Sequence, residues 1–427
     1  MRAFIVIVAA LVAPTVGAQT LTWDTTLGQP GFDQGSVSAL HAWDPDGPGP
    51  QPPQLLAGGS FTSSGGQPVA HLARWTGTSW VQLGPTLSGG SPSSTVDAIT
   101  TWDPDGAGPA DPLLIVGGRF ATDGTSTLNN IAAWNGTQFL PLGSGIGQGG
   151  VAALLSWDPD GSGPANPLLV IGGQFATPTM RICTWNGSTF TALGGGLADN
   201  VFNLILWDPD GTGPANNQII ASGSMPLPSP GIVRFDGTSW QPMGPGFTAG
   251  FVGTVISYDP DGDGPSLPLV MAGGAMTASG PTSLSRLAYW TGTQWAPFAA
   301  FDNTVRTAAM YDPDGDGPAQ PQLFLAGQFT SPVASFTRWN GTAFTTINAA
   351  TVSGVALRSL VFDPDDAGPL PAQLVFAGTL SVIDGQPVGR IAALKPAGNC
   401  PGDLNGDNVV DGADLSVLLA TFGNVCN

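Results

Sequence analysis

The chain has 427 residues, of which 62 are glycine and 40 proline, about 24% together, close to the level at which an aperiodic sequence would be low-complexity. Against that, 13 Trp, 20 Phe and a hydrophobic share of 42% supply more apolar matter than a disordered chain carries. The acids are 30 Asp with no Glu, the bases are ten Arg and the single Lys395, and the formal charge is -19; this excludes a helix-rich globule, which leans on Glu and Lys, any mechanism needing a Glu, and nucleic acid as partner, whose phosphates require clustered Lys and Arg.

Residues 1–18 read as a secretory signal peptide. Met1 and Arg2 precede an apolar run of about eleven residues, followed by Pro14 and the small Gly17 and Ala18. The run is too short to span a bilayer, and no later stretch reaches 18 uninterrupted apolar residues. A secreted, extracellular or cell-surface protein with no membrane span after cleavage is expected. Next comes Leu21-Thr-Trp23-Asp-Thr-Thr-Leu27-Gly28, which is similar to the later segment Ser79-Trp80-Val-Gln-Leu83-Gly84 with one residue inserted.

From residue 43 a phrase recurs, an aromatic followed by Asp-Pro-Asp-Gly, at Trp43, Trp102, Trp157, Trp207, Tyr258, Tyr311 and, with Asp for Gly, Phe362; the spacings are 59, 55, 50, 51, 53 and 51. A repeat of about 50 residues with four short apolar runs is the signature of a β-propeller blade. In the first repeat the strands a to d are expected at 37–43, 54–57, 72–75 and 80–83. Asp-Pro-Asp-Gly carries the preferences of a type I turn, and Asn135-Gly136, Asn186-Gly187, Asp236-Gly237 and Asn340-Gly341 are hairpin signals between strands c and d. The seventh repeat lacks a strand d, so the segment at 21–28 should supply it and join the ends of the ring. The expectation is an all-β, seven-bladed propeller over residues 19–397, closed by the N-terminal strand, with six or eight blades as alternatives.

Glycine pairs end strand b at Gly58-Gly59, Gly117-Gly118, Gly172-Gly173 and Gly273-Gly274, and an aromatic opens strand d, followed three residues on by Leu in Trp80 to Leu83. In these features the chain resembles the kelch and galactose-oxidase-like propellers. The copper chemistry of galactose oxidase is not implied, because it needs two Tyr and two His around one ion and only His41, His71, Tyr258, Tyr289 and Tyr311 exist here. His41 takes a strand-a position filled elsewhere by Thr100, Leu155 and Ile205, and reads as a hydrogen-bonded core residue. All 13 Trp fall at the end of strand a, the end of strand c or the start of strand d; they read as packing residues, not sugar platforms. Cys183, beside Trp185, reads as a buried inert thiol.

The a–b and c–d turns of a propeller share one face, so at least 14 carboxylates crowd one rim. Asp259, Asp261 and Asp263, and Asp312, Asp314 and Asp316, resemble the first three ligand positions of the calcium loops of integrin-type propellers, while the ninth position is Leu267 and Gln320. Two readings stand: plain turn-making, and weak calcium binding at these two repeats. At the opposite rim, near the ends of strand b and the starts of strand c, lie His71, Arg119, Arg181, Arg286 and Arg390. They form a candidate face for an anionic or carbohydrate ligand, the alternative being that Arg merely covers exposed strand ends.

The last 30 residues, 398–427, form a separate module. An EF-hand-type calcium loop needs oxygen ligands at positions 1, 3, 5, 7, 9 and 12. Asp403, Asn405, Asp407, the Val409 carbonyl, Asp411 and Asp414 fill each, and a helix is expected over 413–422. The loop and the apolar Leu415, Leu418, Leu419 and Phe422 resemble one dockerin repeat. That resemblance implies calcium as cofactor and, as partner, a cohesin-like or cell-surface protein; dockerins normally carry two such repeats. Cys400 and Cys426 bracket the module and are expected to pair as a disulfide in an oxidising compartment. The function read from all this is a secreted, non-catalytic binding or structural propeller with a calcium-binding docking tail. The alternative is a polysaccharide-degrading enzyme or enzyme subunit, a glycoside hydrolase or lyase, which without Glu would use Asp97, Asp123, Asp199 or Asp302.

Overall fold

The computed structural model describes residues 20–397, except 48, 107, 109–110, 162, 212–216, 225–229, 261–265, 314–320, 348–350 and 367–369. Seven antiparallel sheets each have four main strands a to d, in sequence order in the first six. Blade 1 comprises Val37–Trp43, Gln54–Gly59, Leu72–Trp75 and Trp80–Gln82; blade 2 comprises Thr95–Trp102, Leu113–Arg119, Ile131–Trp134 and Phe139–Pro141. Each strand a packs beside strand a of the next blade, and that of blade 7, Ala356–Phe362, returns to that of blade 1. The seven-bladed ring is therefore closed. Among the described residues no helix is long and apolar enough to cross a membrane.

The seventh blade is completed from the N-terminus as its missing strand requires. Leu21–Asp24 pairs antiparallel with Gln386–Pro396, Leu21 opposite Pro396 and Asp24 opposite Ala393. The only lysine of the chain locks this seam: Lys395 Nζ donates to Asp24 Oδ2 at 2.6 Å. Burial pushes the Asp24 carboxyl up, but hydrogen bonds from Lys395 and Thr26 outweigh it and hold Asp24 below its ordinary value.

Stability comes from seven separate cores, one between each pair of adjacent blades. The glycine pair at the end of strand b follows from that packing. A Cβ on Gly58 would lie 2.7 Å from Val96 Cγ1 of blade 2, and one on Gly59 would lie 2.0 Å from the Ser36 carbonyl oxygen. The pair lies inside strand b, making it two residues longer than the sequence pattern indicated. Where Ala326 replaces the first glycine, strand a of the next blade opens with the smaller Ala356 in place of valine, and the two share a core.

The aromatic positions are structural, as their register implied. Across the c–d hairpin stand Trp75 and Trp80 with ring centroids 5.4 Å apart, Trp134 and Phe139 at 4.9 Å, and Trp290 and Trp295 at 5.5 Å; such pairs add about 0.5–1.5 kcal/mol beyond burial. Several indoles also tie one blade to the next. Trp102 Nε1 donates to the Pro167 carbonyl at 3.0 Å, Trp207 Nε1 to that of Pro268 at 2.9 Å, and Trp295 Nε1 to that of Met243 at 3.1 Å. His41 Nε2 hydrogen-bonds Thr101 Oγ1 of the neighbouring blade at 2.8 Å, and burial pushes its pKa down to about 4. Cys183 is fully buried, with its thiol pushed up to about 12 by burial, which leaves it unreactive.

Candidate functional site: the mouth of the central channel

Every strand a carries a bulge near its start, at the second residue or, in blade 2, the third. The register skips Ser38 between Val37 and Ala39, Asp97 between Val96 and Ala98, and Arg306 between Val305 and Thr307, with the same shift in the other four blades. A bulge re-aims its side chain out of the alternating pattern. Here the result is convergence: Ser38, Asp97, Ala152, Phe202, Gly253 and Arg306, from six different blades, line one cavity of about 320 Å³ where the strands begin. Blade 7 contributes Arg358 instead, and Arg119 enters from the end of strand b in blade 2.

Three guanidinium groups thus face one carboxylate. Arg119 Nη2 is 3.6 Å from Asp97 Oδ2, which also accepts from Thr95 Oγ1 at 2.8 Å. Arg306 Nη2 donates to Gln328 Oε1 at 3.0 Å, and its guanidinium lies 5.0 Å from the centroid of the Phe251 ring. Arg358 Nη1 donates to the Leu357 carbonyl at 2.9 Å. Burial lowers the pKa of Arg358, with the Asp97 charge working the other way, and a guanidinium remains protonated regardless. The Nε groups of Arg119 and Arg306 are buried and have no hydrogen-bond partner.

A second cavity, of about 630 Å³, opens on the same face between blades 2 and 3 and shares Arg119 and Gly149 with the channel mouth. Glycine-rich d–a connections and the ends of two b–c connections form its walls, and Arg119 is its one charged residue. Asn130 braces the groove: Oδ1 accepts from the Phe120 N–H at 3.1 Å, while Nδ2 donates to the Ile146 and Gly147 carbonyls at 2.9 and 3.0 Å.

Of the rim residues singled out in the sequence, Arg119 alone reaches these cavities. His71, Arg181, Arg286 and Arg390 occupy one repeat-equivalent position, just before strand c for the first two, at its start for Arg286 and inside it for Arg390, with φ of 68°, 63°, 74° and 73°. Their side chains turn back on the b–c connection. Arg181 Nη1 donates to the Gln174 and Phe175 carbonyls, Arg286 Nη1 to that of Ala275, Arg390 Nη1 to that of Thr379, and His71 Nδ1 lies 3.3 Å from the Gly59 carbonyl oxygen. They pin loops. The channel arginines Arg306 and Arg358 were missed because no motif marks a bulge; the only signal was a charged residue directly after the opening apolar residue of strand a, as in Val305-Arg306.

The opposite face is occupied by the acidic turns. In five of them the N–H of the second Asp donates to Oδ1 of the first, for example Asp46 to Asp44 at 3.2 Å and Asp160 to Asp158 at 3.2 Å. Oδ2 of the second Asp then accepts an N–H five residues on, from Gln51 at 3.3 Å, Ala165 at 3.1 Å and Leu370 at 3.1 Å. These are the bonds of turn-making carboxylates, and Oδ1 of Asp46, Asp160 and Asp365 is buried with no partner. Asp259 and Asp312 are described, whereas Asp261, Asp263, Asp314 and Asp316 lie outside the described residues, as do the tail ligands Asp403, Asn405, Asp407, Val409, Asp411 and Asp414 and the pair Cys400 and Cys426. Among the described residues no group of three or more His, Cys or Asp is placed to hold a metal.

Nor do the loop carboxylates pair. Asp123 Oδ1 accepts from Thr125 and Ser126 within its own loop, Asp302 binds Thr330, and Asp199 accepts from the next N–H. Asp97 is the only carboxylate at the channel mouth.

The known relatives of this arrangement are relatives in fold. No protein-family model matches the chain, and no curated protein matches it. Among solved structures, BBS1N in complex with ARL6DN, from a lead-soaked crystal, aligns with a TM-score of 0.53 at 10% identity, covering 90% of this chain and 97% of that one. The mercury-soaked form gives 0.50 at 11% identity, covering 86% and 93%. The rhamnogalacturonan lyase YesW aligns over 88% of this chain and 72% of its own at a TM-score of 0.41 and 14% identity.

Proposed function

We propose that this chain is a secreted, non-catalytic binding propeller whose dockerin-like tail, loaded with calcium, docks it to a cohesin-like or other cell-surface protein. The observation that carries the binding role is the channel face. A rigid closed ring there gathers residues from all seven blades around a preformed cavity, with three arginines and one carboxylate in its lining. A lone carboxylate offers no acid–base or nucleophile–acid pair, so recognition suits this face better than hydrolysis. That BBS1N, similar in fold, was crystallised in complex with ARL6DN is a precedent for a propeller of this size as a partner-binding module.

The tail reading rests on the chemistry of its donor set. Asp403, Asn405, Asp407, Asp411, Asp414 and the Val409 carbonyl are hard oxygen donors at the EF-hand spacing, which suits calcium. Calcium bound there would neutralise the clustered carboxylates and hold the loop against the following helix. The test is calorimetric titration of the full mature chain with calcium, beside Asp403→Ala/Asp407→Ala. High-affinity uptake that vanishes in the variant, with calcium-dependent capture of a cell-envelope protein that the variant fails to capture, supports the reading. Equal uptake by both proteins, or capture that ignores calcium, overturns the docking role.

A further inference from the structure

We infer that the channel mouth binds the carboxylate of an acidic saccharide, a uronic-acid-containing glycan, whose neutral residues extend into the groove between blades 2 and 3. The inference rests on the binding-module reading above and names its ligand. In a chain of net charge -19, this mouth sets three arginines against one aspartate, and among the described residues Arg306 and Arg358 have no carboxylate within ion-pair distance. Buried Nε donors on Arg119 and Arg306 lack partners, as do those of Arg181, Arg234 and Arg390 elsewhere in the ring; at the mouth the arginines also line a cavity, where an acceptor can meet them. A guanidinium fork matches a carboxylate in two-point geometry.

Asp97 narrows the ligand further. A carboxylate inside the site accepts hydrogen bonds and repels anions, so a bare sulfate or phosphate gains nothing from it. A sugar acid brings both an anion for the arginines and hydroxyl donors for Asp97. Size agrees as well: about 320 Å³ at the mouth and about 630 Å³ in the connected groove fall within the usual range for small-ligand sites. The groove wall mixes Gly, Ser, Asn and Thr with Ala121, Ile146 and Pro178, polar groups for hydroxyls beside apolar ones for sugar C–H faces. Phe251, 43% exposed beneath Arg306, offers an apolar edge for sugar C–H groups.

The test titrates the full mature chain with oligogalacturonate and oligoglucuronate, with the neutral galactose and glucose oligomers, and with sulfate. Acidic oligomers should bind at least tenfold tighter than neutral ones and weaken as salt rises. Arg306→Gln and Arg119→Gln should each lose about tenfold or more, Arg306→Lys should recover part of that, and Arg234→Gln, in strand c of blade 4 away from the cavity, should bind as wild type. Unchanged melting temperatures would show that the variants fold. Equal affinity for neutral and acidic oligomers, competition by sulfate as strong as by uronate, or indifference to both arginine substitutions would each overturn the inference. Glycan binding insensitive to these arginines would overturn the channel site and leave the binding module standing; no binding of any glycan or protein would remove both.

Discussion

The two faces of the ring use charge in opposite ways. On the turn face the carboxylates bond within their own turn, the first Asp accepting the N–H of the second and the second an N–H five residues on, with one buried oxygen of Asp46 and of Asp160 left over. On the channel face, Arg306 and Arg358 come from blades 6 and 7 and meet Arg119 and Asp97 of blade 2, with buried donors left over. What distinguishes the mouth is that its charges come from different blades and line one cavity, whereas each turn bonds within itself.

The sharpest way to break this contrast is at the turn glycines. A Cβ on Gly163 would lie 2.1 Å from Asp160 Oδ2, so Gly163→Ala must expel that carboxylate from its bond to the Ala165 N–H. A loss of about 1–3 kcal/mol in urea unfolding is expected. Adding Asp160→Ala removes the clashing group, so the double variant should lose less than the two single losses added together. Strict additivity would show that Asp160 does not hold the turn.

Between the faces, midway along strand a of blade 1, His41 provides a pH-dependent probe of the interior. Its pKa is pushed down to about 4 in the folded protein from 6.5, so between those values the unfolded chain binds a proton that the native state refuses. Stability should therefore fall as pH drops from about 6.5 to 4, by about 3 kcal/mol. His41→Thr, the residue that blade 2 carries at Thr100, should abolish that step while leaving the acid unfolding at lower pH. A step that persists in the variant would assign it elsewhere.

A smaller effect belongs to the first Asp of each turn. Asp158→Ala deletes the acceptor for the Asp160 N–H at 3.2 Å and should cost about 1 kcal/mol, with no calcium dependence. If the loss appears only in calcium-containing buffer, the turn is holding a cation and the turn-making account fails.

The turn face could be read from the sequence because its causes are local. Asp-Pro-Asp-Gly specifies a turn within five residues, the glycine pair marks where blades touch, and the incomplete seventh repeat points to Leu21–Asp24 as its missing strand. The channel face could not be read this way. Its charged residues span more than 200 positions, from Asp97 to Arg358, and meet only because the ring closes, and a one-residue bulge decides where Arg306 points. The rim series misled for a related reason. Arg181, Arg286 and Arg390 look like presented cations, but the left-handed backbone at each folds the side chain onto neighbouring carbonyls, and nothing in a single sequence announces a positive φ at arginine.

The smallest stability effect separates the faces most cleanly. Arg306 makes one side-chain hydrogen bond, to Gln328 at the surface, and no ion pair among the described residues, so Arg306→Gln should change unfolding free energy by no more than about 0.5 kcal/mol. Arg390→Gln, which frees the Thr379 carbonyl, should cost more, since it unpins a loop held in a strained backbone region. Unfolding curves of the two variants side by side measure the distinction directly. If Arg306→Gln proved as costly as Arg390→Gln, the channel arginines would be structural like the rim arginines.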